Sequence, residues 1–564
     1  MGTPRPAPED RPADREPARL DRSPFARYAQ RFDRPLDTVP DLLRGGADPV
    51  RTAAGLRVPA AAVRGPATFF ADYSAPRAPR HVRLCGAAAC RAASGGTHVA
   101  EVEAGLGVAV GSRSADGSVS IQEVRCLGYC YGGPAALDGD EPCAGADVSA
   151  QLQGLSPRRD PVAEVHSRSR TPVVTAGLLG AGEPWAVWPT VVSTGSPDAV
   201  LAEVAAAGLT GRGGAGFSTA RKWRAARARP GPRVVVANGD EGDPGSYVDR
   251  LLMEGDPHRL LEGLALACFA TGAATGIVFV RSEYPRAVER LRTALAQAQA
   301  DGHLGPDVHG SGVDLHVRVA VGAGSYVSGE ETALLNGLEG LRGVVRPRPP
   351  YPVDRGLSGR PTVVNNVETL AAVPWIIQHG GAAYAAMGAP GQPGTLVVCL
   401  SERFARPGAY EVEPGISLRR VVEDLGGGLR QGAVLRALQV GGPLGGFLSP
   451  AELDTPLTDA SLAERGAALG HAGVVAFDER LTGEEVLAHL WAFAETESCG
   501  QCSPCRVGSR LGRLLAAEHV ATDDPSPRVR VLETMSEASL CAFGRRVPAA
   551  VRGLVRVYGL RGWT

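Results

Sequence analysis

The chain has 564 residues, and 59 Lys and Arg against 60 Asp and Glu leave a formal net charge of −1. That balance excludes a global field that would draw in nucleic acid or an anionic membrane surface. The length exceeds what one core can organise and implies several units, while 44 % hydrophobic and 21 % charged residues are ordinary for a globular protein.

The opening residues, MGTPRPAPEDRPADREPARLDRS, are charged and Pro-rich. They show no apolar secretory segment, so a cytoplasmic chain with reduced thiols is expected. Residues 1–45 read as a disordered tail. Residues 46–150 read as a small α/β unit with four spaced cysteines, in which HVRL and SIQEVR are strands. The span 151–174 contains SPRRDPVAEVHSRSRTP and reads as a linker. A Gly-rich α/β domain is expected over 175–385. Its strands are expected at Arg233–Ala237, Ile277–Val280 and Leu315–Val321, and its helices include Asp198–Ala207 and Pro285–Ala300. The run Leu264–Val280 comes nearest to a membrane span, but it is short and rich in Gly, Ala and Thr. It divides into a small-residue helix and the strand IVFV, so no membrane insertion is expected. Over 390–475, GTLVVCLS, YEVEPGISLRRVVEDLGG and LRALQVGG give strand, strand–turn–helix and strand, a β-grasp-like order. From 476 to 564 the chain turns helical. LTGEEVLAHLWAFAETESC begins with a capping box of Thr482 and Glu485 and carries an apolar stripe.

Eight of the 11 cysteines fall into two groups of four. The first is Cys85-x4-Cys90 with Cys126-x3-Cys130. Two close pairs on separate loops can converge their thiolates on a two-iron cluster. A zinc site and a disulfide pair are the competing readings. Zinc ribbons prefer two-residue spacers, and the compartment disfavours disulfides. The second group is Cys499-x2-Cys502-x2-Cys505 with Cys541, a tight triplet plus one remote thiolate that suits a four-iron cubane, with zinc again the alternative. Cys143, Cys268 and Cys399 read as isolated buried thiols.

Residues 211–216, GRGGAG, match G-x-G-x-x-G, but a helix precedes them and the strand VVVAN follows. An ordinary dinucleotide fingerprint needs the opposite order. What remains is a backbone of Gly211, Arg212, Gly213, Gly214 and Gly216 that can approach a phosphate, with Lys222 adding charge, or else a flexible surface loop. The next acidic loop runs from Asn238 to Gly245 and carries Asp240, Glu241 and Asp243 at the end of a buried strand, where ligand crevices form. A calcium loop fails there, because Gly242 stands where a third alternating ligand would fall. VGAGSYVSGEETALL then places a second Gly-rich turn, with Tyr326, before Glu330 and Glu331 at a helix start.

Together GRGGAGFSTARKW, NGDEGDPGSYVDR, GAGSYVSGEETALLNGLEG, RPRPPYP, GRPTVVNNVETL and ESCGQCSPCRVGSRLG resemble the NADH-binding flavoprotein subunit of respiratory complex I over about residues 170–564. GPATFFADYS, CGAAAC and CLGYC resemble the neighbouring thioredoxin-like two-iron subunit, here fused. Such fusions are typical of diaphorase subunits of NAD-linked hydrogenases and of molybdenum or tungsten formate dehydrogenases.

The resemblance implies an α/β multidomain chain. Its parts would be a thioredoxin-like [2Fe-2S] domain, a Rossmann-like FMN domain, a β-grasp domain and a C-terminal helical bundle with a [4Fe-4S] cluster. The Gly211–Gly216 backbone, Lys222, Asn238, Asp240, Asn365 and Asn366 would meet FMN. Phe217 and Tyr351 would flank the adenine of NADH. Glu331 and Arg348 would contact the ribose and phosphate portion, with Glu330 beside them, and Asp243 and Tyr326 would wall the flavin and nicotinamide. Three positions depart from the family: Asp243 stands for the usual Glu, Ser328 for a Cys and Tyr351 for the commoner Phe. The implied activity is hydride exchange between NAD(H) and FMN and single-electron exchange with the clusters. The implied partner is a molybdopterin formate dehydrogenase catalytic subunit, with further iron–sulfur subunits. A hydrogenase catalytic subunit, a true complex I assembly and a non-enzymatic scaffold are the alternatives.

Overall fold

The computed structural model describes residues 38–75, 77–517 and 526–563. Most of the expected tail, residues 1–37, lies outside the described residues. Its last part is not disordered: Val39–Arg44 (α1) is a helix, followed by Pro49–Leu56 (α2) and Ala60–Phe69 (α3). Apolar positions decide this. Val39 and Leu43 bury against Ala53, Val63 and Ala67, and the Arg44 guanidinium donates to the Val321 carbonyl at 2.9 Å.

The unit that follows holds strands Arg80–Cys85 (β1), Val119–Val124 (β2), Ala135–Asp138 (β3) and Glu141–Ala144 (β4) in the order β2-β1-β3-β4. β1 pairs parallel to β2 and antiparallel to β3. Helices Ala88–Ser94 (α4) and His98–Leu106 (α5) connect β1 to β2. The first strand runs directly into the cysteine loop, because Cys85 is its last residue.

The span expected as a linker enters the next sheet. Val165–Ser167 (β5) pairs parallel with Gly408–Val412, and the residues after it are pinned by one carboxylate. Buried Glu411 accepts from the backbone N–H groups of Val173, Val174 and Thr175 at 2.9–3.0 Å. It also accepts from the hydroxyls of Thr175 and Thr395, each at 2.6 Å. Orphan backbone donors in a buried crossing must be satisfied, and here one side chain satisfies them.

The central domain has four parallel strands, Val234–Gly239 (β6), Thr275–Val280 (β7), His316–Val321 (β8) and Thr362–Asn366 (β9). Their spatial order is β8-β7-β6-β9. Pro197–Ala206 (α6), Thr219–Arg227 (α7), Val248–Gly255 (α8), Pro257–Thr271 (α9) and Pro285–Ala300 (α10) belong to this domain. The apolar run near 264–280 divides between α9 and β7, and among the described residues no helix is long and apolar enough to cross a membrane. A further helix, Glu331–Leu338 (α11), follows β8.

The β-grasp region completes a sheet of Leu396–Leu400 (β10), Gly408–Val412 (β11), Ala437–Val440 (β12), Gly446–Leu448 (β13) and Gly473–Phe477 (β14), ordered β13-β12-β14-β10-β11-β5. Four helices close the chain: Gly483–Glu497 (α12), Ser503–Ala517 (α13), Ser526–Ala538 (α14) and Ala542–Tyr558 (α15). The expected capping box is present at the start of α12, where Thr482 accepts from the Glu485 N–H and the Glu485 side chain accepts from the Thr482 N–H.

Glu411→Ala leaves five buried donors without an acceptor, a local cost of roughly 3–5 kcal/mol. The expected outcome is a lower melting temperature together with new protease cleavage between residues 157 and 172. Unchanged protease resistance there would show that β5 is held by something else.

Candidate functional site

Strands β6, β7 and β8 advance in one direction across the sheet, and β9 lies on the other side of β6. The strand order therefore reverses between β6 and β9, and ligands of open parallel sheets bind beyond the carboxyl ends of the strands at such a point. Asn238 and Gly239 close β6, and Asn365 and Asn366 close β9. The Asn238 amide donates to the Gly329 carbonyl at 2.9 Å, which ties this edge to the turn before α11. Trp223 on α7 donates to the Asn365 side chain at 2.8 Å, and Asn366 donates to Asp249 at 2.6 Å. A Cβ on Gly213 would stand 3.0 Å from the Asn366 Cβ, so the glycine loop lies directly on this edge.

Lys222 on α7 donates to the Val364 carbonyl at 2.9 Å and stands 3.5 Å from Glu331. Arg348 pairs with both Glu330 and Glu331, the latter at 3.1 Å. Asp240 fits a bound polar ligand. It is buried, its Oδ2 has no hydrogen-bond partner, and burial pushes its carboxyl well above the usual carboxylate range. Side chains at Gly242 and Gly329 would press on that oxygen, since their Cβ atoms would lie 3.2 and 2.9 Å from it. Phe217 and Tyr351 are 48 % and 52 % exposed, and the Arg221 guanidinium lies 5.4 Å from the Phe217 ring centre.

Three of the expected contact residues are occupied by the protein itself. Glu241 accepts from the Ser246 hydroxyl, the Asp249 and Arg250 N–H groups and the Tyr284 hydroxyl, and so anchors α8. Glu330 caps α11 by accepting from the Thr332 and Ala333 N–H groups. The Arg212 side chain donates to the Tyr384 hydroxyl and the Pro393 carbonyl at 3.0 and 2.8 Å.

The first cysteine group converges. Cys85, Cys90, Cys126 and Cys130 are all buried, and none is in a disulfide. The Cys126 and Cys130 sulfurs are 3.3 Å apart, and the Cys85 thiol, lowered by Cys126 but raised by Cys90 and burial, lies well above the usual thiol range. The hydrogen bond with Cys126 and burial push the Cys130 thiol far up. Four thiolates cannot share so dry a pocket without cationic compensation, so the donor set fits a metal centre. In the second group Cys505 is buried, and Cys499, Cys502 and Cys541 are half-buried. Burial raises the Cys541 thiol, while the N–H groups of Phe543 and Gly544 at the start of α15 oppose the rise. Cys143, Cys268 and Cys399 are buried as expected.

Two connections were not legible in the sequence. Arg281 donates both to the Glu241 carbonyl of the acidic loop and to the Arg125 carbonyl beside Cys126, at 3.1 and 3.2 Å, and the Gly245 N–H opposes the rise of the Cys130 thiol, so a cysteine ligand loop lies directly against the acidic loop. His471, between β13 and β14, stands 3.2 Å from Asp243, whose other oxygen accepts from the Tyr326 hydroxyl. No spacing signal relates positions 243, 326 and 471.

Glu368 lines the cleft beside the glycine loop, and burial, opposed by Arg212, raises its carboxyl to about 8. The folded state thus holds a proton that the unfolded state releases at the ordinary value of 4.5. Its contribution to stability is fully present below that value and is lost as pH rises through about 8. Glu368→Gln is expected to flatten this part of the stability–pH curve and to raise the melting temperature at pH 8 relative to wild type. A parallel decline in both proteins would assign the slope elsewhere.

Three family models match the chain: Nuo51 FMN-binding domain over residues 204–375, thioredoxin-like [2Fe-2S] ferredoxin over 49–150, and NADH-ubiquinone oxidoreductase-F iron-sulfur binding region over 485–560. An NADH-quinone oxidoreductase F-type subunit of Rhizobium meliloti (strain 1021) is 39 % identical over 64 % of this chain and 87 % of that protein. The HndC subunit of the NADP-reducing hydrogenase of Solidesulfovibrio fructosivorans is 40 % identical over 63 % of this chain and 74 % of its own length. A chain of the crystal structure of NAD+-reducing [NiFe]-hydrogenase in the H2-reduced state superposes with TM-score 0.82 and 31 % identity, covering 94 % of this chain and 93 % of that one. The matched models cover both cysteine groups and the glycine-loop crevice, and they favour iron–sulfur clusters over zinc at the cysteines. The chain belongs to the family of NADH-binding, FMN- and iron–sulfur-carrying oxidoreductase subunits that includes the F-type subunits of NADH-quinone oxidoreductases.

Proposed function

We propose that this subunit exchanges hydride between NAD(H) and FMN at the β6/β9 crevice and single electrons with two clusters, within an NAD-linked complex. The observation that carries this reading is the contact of both cysteine regions with the loops around that crevice. Arg281 bridges the Glu241 carbonyl of the acidic loop and the Arg125 carbonyl beside Cys126, while Tyr326 packs on Phe493 of α12 and Phe543 of α15 at 5.0 and 5.7 Å. Phe543 lies two positions from Cys541.

In this reading the chain's residues bind and orient. The glycine loop at 211–216 and Lys222 hold the flavin phosphate, through the N–H groups beyond those of Gly211 and Arg212, which donate to Phe217 and Thr369, and Asn238, Asp240, Asn365 and Asn366 hold its polar portions. Phe217 and Tyr351 sandwich the adenine, while Glu331 and Arg348 meet the ribose and phosphate. Cys85, Cys90, Cys126 and Cys130 would hold the [2Fe-2S] cluster. Cys499, Cys502, Cys505 and Cys541 would hold the [4Fe-4S] cluster. Bound FMN supplies the conversion between a two-electron hydride and single electrons, so no protein nucleophile or general base is required.

The partner expected from the sequence is a molybdopterin formate dehydrogenase catalytic subunit, with further iron–sulfur subunits between. A hydrogenase catalytic subunit is the second reading, and the near full-length likeness to an NAD+-reducing hydrogenase chain favours it. Purification of the native complex decides between them. NAD+ reduction driven by formate marks the first, and reduction driven by hydrogen marks the second.

The purified holoprotein is expected to be brown-yellow and to reduce an artificial dye with NADH. Cys502→Ser should abolish the four-iron paramagnetic signal while flavin remains, and Cys126→Ser should abolish the two-iron signal. The reverse pattern would exchange the cluster assignments. Glu331→Gln is expected to raise the NADH KM about tenfold, with FMN content unchanged. A normal KM would remove Glu331 from the nucleotide site.

A further inference from the structure

The β-grasp domain contributes one titratable side chain to the crevice that no motif announced. His471 is buried, and its Nε2 lies 3.2 Å from Asp243 Oδ2 and makes no hydrogen bond within the protein. Its Nδ1 accepts from the Gly473 N–H at 3.3 Å, so in a neutral ring the proton sits on Nε2, toward Asp243. Asp243 Oδ1 accepts from the Tyr326 hydroxyl. The carboxylate is therefore held from both sides, by one group from the central domain and one from the β-grasp domain.

The backbone is shaped to bring His471 there. A Cβ on Gly470 would strike the Gly441 carbonyl oxygen at 2.6 Å, and Gly470 and Ala472 both adopt positive φ, +57° and +56°. A Cβ on Gly442 would stand 3.0 Å from Asp243 Oδ1 and 3.0 Å from His471 Nε2, so only glycine there leaves the pair room. The same turn forms the wall opposite the glycine loop, since a Cβ on Gly214 would lie 3.6 Å from Gly470. His471 thus belongs to the crevice wall and to the Asp243 contact at once.

We propose that His471 is a positioning residue that orients and charge-balances Asp243, and so sets how the crevice discriminates oxidised from reduced nicotinamide. This rests on the reading of the crevice as the nicotinamide site. The oxidised ring is a cation and the reduced ring is neutral. With His471 protonated, the pair has no net charge. With His471 neutral, an uncompensated carboxylate faces the ring and favours the cation. The remaining charged groups around His471 are Glu241 on the acidic loop and Arg212, Glu368 and Asp459 along the adjoining cleft. Burial pulls the His471 pKa down, but attraction to Asp243 outweighs it and the net direction is upward.

The test measures dissociation constants of holoprotein for NAD+ and for 1,4,5,6-tetrahydro-NAD, a reduced analogue that transfers no hydride, between pH 6 and 9 by calorimetry. In wild type, NAD+ affinity should rise about tenfold relative to the analogue as pH increases through one protonation step. His471→Gln should remove the pH dependence and hold the ratio near its high-pH value. Asp243→Asn should remove it from the other side and hold the ratio near its low-pH value. FMN content and melting temperature report whether each variant is folded. A pH-independent ratio in wild type, or a wild-type slope retained in a folded His471→Gln protein, would overturn the proposal. Failure of wild-type holoprotein to bind either nucleotide would instead overturn the nicotinamide reading, and the proposal with it.

Discussion

The Glu241 carboxylate is the anchor on which the arrangement around the crevice depends. It accepts four hydrogen bonds from residues 246, 249, 250 and 284, and its own backbone sits at φ +38°. Such a φ is costly for a non-glycine residue and persists only where the surroundings over-determine it. Here the strained residue makes the chain turn between β6 and α8. That turn presents Asp240 to the β6/β9 edge, Asp243 to His471 and Tyr326, and the Gly245 N–H to Cys130. One short loop therefore meets the flavin-domain edge, the β-grasp domain and the first cysteine group.

The interface that seats the thioredoxin-like unit on this loop is built from buried charge. Arg250 donates twice to the Gly128 carbonyl, at 3.0 and 3.2 Å, and once to the Tyr131 hydroxyl at 2.9 Å. Its guanidinium also lies 4.2 Å from the Tyr129 ring centre. Arg281 pairs with Glu283 at 2.7 Å and reaches the Arg125 and Glu241 carbonyls at 3.2 and 3.1 Å. Buried charge gives little net stability after desolvation, but a misplaced partner would leave an unpaired cation. The cost of error fixes the register between the cysteine loop and the acidic loop. Relays of single electrons need that register more than they need adhesion.

The sequence carried both cysteine sets, because unbridged thiols in close pairs or triplets have few uses besides binding metal. Long periodic elements were also readable. Pro285–Ala300 is helical as expected, and the three expected central strands each appear within two residues at either end. The strand Val165–Ser167 was hidden because three residues in a Pro- and Arg-rich stretch have no period, and only pairing with Gly408–Val412 makes them a strand. The helix at Val39–Arg44 was hidden for a similar reason: six residues carry too little propensity to outweigh a polar, Pro-rich flank, and burial of Val39 supplies the rest.

Local chemistry belongs to the chain alone: which residues can ligate iron, which loops lack side chains, and which helix starts are capped. Each of those properties is carried by neighbours within a few positions. Tertiary structure decided which polar groups remain available. Glu241, Glu330 and Arg212 lie in the same motifs as Asp240, Glu331 and Lys222, yet the fold commits them to capping and anchoring. It also brought His471 to Asp243 across 228 positions of chain, a pairing that depends on two glycine turns and a sheet crossing rather than on any spacing. Proximity between distant residues is a property of packing, and packing decides which buried donors and acceptors find partners and which, like Asp240 Oδ2, do not.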